Sequence, residues 1–181
     1  MKARFTILAL GLSRAASGAA LAQSQGVSKD TITLGSIQDL SGPLAGFGKQ
    51  LRMGMQLRVD EINEQGGING RKLALKVEDS GYDPKRAVLA AQKLVNQDKI
   101  FAMVGTIGTA PNVAAFPVMF DKNVLSFFPV TAAREMYEPH HRLKYSFAST
   151  YYDQVRLAAP KLVKEKGAKK VCTIYQDDEF G

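Results

Sequence analysis

The chain reads as an α/β protein built on a doubly wound parallel sheet, and three observations predict it. Strand-like and helix-like segments alternate from residue 31 onward. The loops between them are short, as repeated β-α-β units require. One segment, Ile100 to Val104, is an unbroken apolar run, the pattern of a central parallel strand covered on both faces.

Each element carries its own signature. Thr31 to Ile37 has β-branched residues ahead of a turn and reads as the first strand. Lys49 to Glu64 places Leu51, Met55, Val59 and Ile62 on one helical face. Gly66-Gly67 ends that helix, because glycine takes a left-handed cap at little cost. Lys72 to Glu78 is a second strand, and its polar ends put it near a sheet edge. Asp83-Pro84 starts a second helix, with Asp at the N-cap and Pro at the first helical position. Ala87, Ala91, Leu94 and Val95 form its buried face. After the apolar strand, Gly105 to Pro111 turns into a third helix that runs through Phe120. Pro117 is expected to kink or shorten it. Val124 to Phe128 is a fourth strand, closed by Pro129. Asp153 to Lys166 reads as another helix and Lys170 to Tyr175 as another strand, with Cys172 as a small core residue in it.

The 181 residues include 24 Lys and Arg against 17 Asp and Glu, a net charge of +7. That balance and a pI near 9.5 raise a nucleic-acid function. The N-terminus argues against it. Met1 to Arg4 is a short positive start, Phe5 to Leu12 an apolar run, and Ala20-Leu21-Ala22 a small-x-small cleavage site. Together they read as a signal peptide over residues 1–22, cleaved after Ala22. The run is too short to span a bilayer, which needs ~20 apolar residues. Cleavage removes Lys2, Arg4 and Arg14 and no acid, so the charge falls from +7 to +4. The densest basic stretch, Lys164 to Lys170, contains Glu165 and reads as a solvated helix end. With no zinc-finger, helix-turn-helix or ribonucleoprotein motif, no nucleic-acid partner is expected. The single Cys172 excludes an internal disulfide and a cysteine zinc site.

Ligands of doubly wound sheets bind outside the carboxyl ends of the strands. Four loops lie there: 39–48, 79–84, 105–111 and 129–135. In the third, a strand ends and a helix begins near Ala110-Pro111, so free amides and the positive dipole end suit an anion such as a carboxylate. Two readings stand for Thr109: its hydroxyl donates to that anion, or it caps the helix. Ser41 to Gly48 is glycine-rich but matches neither the dinucleotide fingerprint nor the P-loop. Phe47 within it either closes over a ligand or fills the core edge. His140-His141 reads as a surface loop, because adjacent residues share no face and no acid stands at ligand spacing beyond Glu138. Asp177-Asp178-Glu179 reads as solvated acids. No nucleotide fingerprint, metal set or nucleophile–base constellation is present, so neither cofactor nor metal is expected, and the pattern points to binding without catalysis.

The order of motifs resembles the type I periplasmic binding proteins of the Leu/Ile/Val-binding class. The signposts are Leu34-Gly35, Leu40-Ser41-Gly42-Pro43 and Gly48. Then come Asp60 to Gly70 (Asp-Glu-Ile-Asn-Glu-Gln-Gly-Gly-Ile-Asn-Gly) and Glu78 to Pro84 with Ala87. Val104-Gly105 and Asp177-Asp178-Glu179-Phe180-Gly181 complete the series. The resemblance implies two α/β lobes joined by a hinge, with the ligand between them and closure by hinge motion. Here it implies a first lobe over residues 23–147, and over 148–181 the hinge and the start of a second lobe, so the chain reads as a fragment. It further implies a ligand carboxylate at Gly108, Thr109 and Ala110, with Ile107 beside it. Phe47 matches an aromatic position against the ligand side chain, Val130 and Thr131 lie at the amino-acid head group, and Phe180 stands where Tyr is common. Tyr151 and Tyr152, at the hinge, either stack on a ligand or pack there. Phe128-Pro129-Val130-Thr131-Ala132 departs from the family's Ser-Pro-Gly-Ala-Thr and shifts its hydroxyl by one residue. Phe180 lacks a donor. Both departures admit an aromatic or other small carboxylate, or an amide-like solute, beside a branched-chain amino acid. The implied function is the periplasmic substrate-binding component of an ABC importer, partnered by an inner-membrane permease. The alternative is a ligand-sensing domain of a regulator or receptor on the same fold.

Overall fold

A computed structural model describes residues 24–181. The leader expected over residues 1–22 lies outside the described residues. The elements run β1 (Thr31–Gln38), α1 (Ala45–Glu64), β2 (Lys72–Asp79), α2 (Pro84–Gln92), β3 (Ala102–Val104), α3 (Thr109–Asp121), β4 (Leu125–Phe127), β5 (Lys144–Tyr145) and α4 (Tyr151–Lys166). A π-helical turn, Lys93–Gln97, prolongs α2. The five strands form one sheet in the order β2-β1-β3-β4-β5, and every neighbouring pair is parallel. The predicted doubly wound α/β class is therefore the observed one. The order steps outward in both directions from β1, so the switch point lies between β1 and β3.

Burial follows the expected apolar faces. Ala87, Ala91, Leu94 and Val95 of α2 and its π turn are completely buried, and β2 sits at the sheet edge. The main buried cluster joins α2 and α3 to Ile37, Ile100 and Met103 from the sheet side, and it includes no residue of α1. Helix α1 packs separately over β1 and β2. Asp83 caps α2 by accepting the Arg86 N–H at 2.8 Å, with Pro84 at the first position. Pro117 lies inside α3, which continues unbroken to Asp121.

Three expectations are corrected, and one strand was not among them. Helix α1 starts at Ala45, not Lys49, because the Asp39 carboxylate orders the turn before it. Strand β5 carries no signature of its own; two residues are held by pairing with β4 alone. Lys170 to Tyr175 is not a strand, because no strand among the described residues lies alongside to complete its hydrogen-bond ladder. Cys172 is accordingly exposed, not a core residue. Helix α4 is capped as a helix should be, by Thr150 accepting the Asp153 N–H and by Gly167 at φ 60°, yet none of its residues is buried.

Gly48 is a close-approach glycine inside α1. A Cβ there would drive into the carbonyl oxygen of Asp39, which is backbone and cannot swing away. Gly54, in the same helix, would meet nothing. Gly48→Ala is expected to lower unfolding free energy in urea by about 1–3 kcal/mol. Gly54→Ala is expected to raise it by about 0.5–1 kcal/mol. Equal effects would refute the close approach.

Candidate functional site

Two carboxylates at the carboxyl ends of β1 and β2 hold the loops that form one wall of the site. Asp39 is fully buried and accepts the N–H groups of Gly42 at 2.5 Å and Leu44 at 2.6 Å. Asp79, in the next strand, accepts from Leu40 N–H at 2.8 Å, Gly81 N–H at 2.9 Å and the Ser41 hydroxyl at 2.5 Å. Its other partner is the Arg86 guanidinium at 2.8 Å. Burial alone would raise the Asp79 carboxyl. Hydrogen bonds from Ser41, Leu40 and Gly81, with the charge of Arg86, outweigh that and lower its pKa from 3.8 to about 2.

The opposite wall comes from the ends of β3 and β4. Ile107 and Val130 continue the parallel pairing past both strands, and Gly108 donates to the Val130 carbonyl at 3.3 Å. The chain then turns at Gly108, φ 92°, into α3. Asn112 reaches back from that helix to the carbonyls of Thr106 at 2.9 Å and Gly108 at 2.6 Å and fixes the turn. The first amides of α3, those of Thr109 and Ala110, have no acceptor within the helix.

Between the walls lies a cavity of about 260 Å³. Six of the nine residues expected from the sequence line it: Phe47, Ile107, Gly108, Val130, Thr131 and Phe180. Thr109 and Ala110 sit buried behind the lining. The Thr109 hydroxyl lies 2.7 Å from that of Thr131, which also accepts the Ala133 N–H at 3.2 Å. Thr109 does not cap the helix, because Gly108 is the N-cap residue; its hydroxyl is paired with that of Thr131. Tyr152 points elsewhere, under the Arg134 guanidinium at 4.2 Å, while Tyr151 lines the cavity and meets the Phe180 ring edge-on at 5.5 Å. Adjacent helical residues are rotated by about 100°, so one tyrosine of the pair faces the cavity and the other cannot.

Leu44, Tyr82 and Gln176 also line the cavity and were not foreseen. Tyr82 lies in a loop the sequence had marked, but nothing local shows where its ring points. No group of three or more His, Cys, Asp or Glu side chains is placed to hold a metal among the described residues. His141 stacks on Phe120 at 4.2 Å, away from the cavity.

The sequence profile described as periplasmic binding protein matches residues 31–181. The chain belongs to the periplasmic binding protein family. It is 31% identical over 150 residues to the Leu/Ile/Val-binding protein BraC3 of Rhizobium johnstonii, covering 83% of this chain and 41% of that protein. Among solved structures it is similar to a fatty acid ABC transporter substrate-binding protein from Thermomonospora curvata. That match has 28% identity and a TM-score of 0.73 over 82% of this chain and 37% of the other. It is also similar to the branched-chain amino acid transporter substrate binding protein LivJ of Streptococcus pneumoniae, solved with isoleucine. There identity is 33% and the TM-score 0.52, over 54% of this chain and 28% of the other. The resemblance to the type I, Leu/Ile/Val-binding class holds. The chain spans about two fifths of the length of the curated relatives it matches.

The folded pKa of Asp79 lies below its unfolded value, so its contacts stabilise the fold fully above about pH 4, and that share is lost as pH falls through about 2. The stability gap between the wild type and Asp79→Asn is expected to be widest above about pH 4 and to narrow towards pH 2. Urea unfolding across that range measures it; a gap that stays constant refutes the assignment.

Proposed function

We propose that the chain is the ligand-binding first lobe and hinge of an exported substrate-binding protein, which delivers a small carboxylate-bearing, amino-acid-like solute to an ABC permease. The observation that carries this reading is the cavity at the sheet's switch point. There the amino end of α3 meets a lining of apolar and aromatic side chains. The helix amides suit a carboxylate and the rings suit an apolar tail. The names of the relatives support solute capture for import.

In this reading residues 1–22 direct export and are removed after Ala22, residues 23–147 form the first lobe, and 148–181 begin the second. The solute's carboxylate meets the Gly108–Ala110 turn, Thr131 presents its hydroxyl, and Phe47, Ile107, Val130 and Phe180 enclose the tail. Thr109 acts from behind by orienting the Thr131 hydroxyl. Tyr151 takes the place expected of Tyr152. Capture requires no bond making, so the protein works without catalysis, cofactor or metal.

Leucine, isoleucine, phenylalanine and short-chain carboxylates form the test panel for the full-length protein. At least one is expected to raise the unfolding midpoint saturably. Failure of all of them in thermal-shift and calorimetric titration would overturn the proposal. Thr131→Val is expected to weaken the bound solute by about 0.5–1.5 kcal/mol, the value of a typical hydrogen bond. An unchanged affinity removes Thr131 from the site.

A further inference from the structure

We propose that Tyr82 is a specificity-determining residue of the cavity, which sets the room a solute has beside Gly108. The inference rests on the solute-binding reading above and names a residue that reading does not use. Three independent features hold the ring in place.

The first is backbone strain. Tyr82 sits at φ 62°, a left-handed conformation that a bulky side chain adopts only when its surroundings impose it. The surroundings do so here. The Ser80 hydroxyl accepts the Tyr82 N–H at 3.2 Å and donates to the Gln38 carbonyl at 3.2 Å, which clamps the loop to the end of β1. The Asp83 N–H closes the turn on the Ser80 carbonyl at 3.0 Å.

The second is the absence of a side chain opposite. A Cβ on Gly108 would lie 2.5 Å from Cε2 of Tyr82. The ring therefore rests directly on the turn that opens α3, in space a β-carbon would otherwise claim.

The third is the far end of the ring, which reaches chain distant in sequence. Gln176, from the segment after α4, lines the same cavity as Tyr82. Burial raises the pKa of the Tyr82 phenol, and the Asp178 charge adds to that. Tyr82 thus spans the cavity from the α3 turn to the segment after α4, and its volume is taken from the solute's share. Sequence separation hid this, since Tyr82, Gly108 and Gln176 belong to three different loops.

The test uses the full-length protein with L-leucine and L-phenylalanine as probes in calorimetric titration. Tyr82→Asn removes the ring with a residue that tolerates a positive φ, and Tyr82→Phe keeps the ring. In Tyr82→Asn the leucine-to-phenylalanine affinity ratio is expected to move towards the larger solute by about fivefold or more. Tyr82→Phe and the distant surface change Tyr145→Ala are expected to keep the wild-type ratio. A Tyr82→Asn protein that melts cooperatively but shifts the ratio less overturns the inference and leaves the solute-binding reading intact. Binding of neither probe by the wild type overturns this inference, and the reading beneath it falls only if the rest of its panel also fails to bind.

Discussion

Two carboxylates side by side at the ends of β1 and β2 anchor the loops that form one wall of the cavity. The strands pair so that Gln38 lies opposite Asp79, which brings Asp39 and Asp79 to one corner of the sheet. A carboxylate accepts several hydrogen bonds at once, and backbone amides at a turn are donors without partners. Asp39 gathers the turn into α1, and Asp79 gathers the starts of both loops. Arg86 offsets part of the crowded negative charge. That wall of the cavity inherits its position from this corner: Leu44 and Phe47 from one loop, Tyr82 from the other.

The same corner explains where glycine is needed. Gly48 brings α1 against the Asp39 carbonyl, and Gly42 brings the preceding turn against Gly81. Neither is there for a left-handed backbone; both are there because another main chain occupies the place of a side chain. Across the cavity, Gly108 combines the two demands, with φ 92° and a ring where its Cβ would be. A cavity wall assembled from backbone contacts of this kind is held in shape by main chain, and such preorganisation is what limits the entropy lost when a pocket is filled.

Much of the fold was legible because its signals are local. The Asp83-Pro84 cap, the Gly66-Gly67 stop and the apolar faces of α1 and α2 each lie within a few residues of the element they define. The apolar run ending in Val104 announced a central strand, and β3 is the middle strand of five. Lys170 to Tyr175 shows the limit of that logic. Its composition suits a strand, but a strand is a relation between two segments, and a partner is not a property of six residues. Strand β5 is the converse, with weak local preference and a partner that makes it a strand.

The sequence by itself determined the succession of elements from β1 to β4, the family and the loops at the carboxyl ends of those strands, because caps, turns, periodicity and ordered motifs are local features. Only the tertiary structure decided which side chains in those loops meet. Thr109 finds Thr131 across 22 residues, and Tyr82 finds Gly108 across the switch point. Tyr151, not Tyr152, turns to Phe180. Each of these depends on strand register and helix rotation, which are set by the packing of the whole sheet and leave no trace in any one segment.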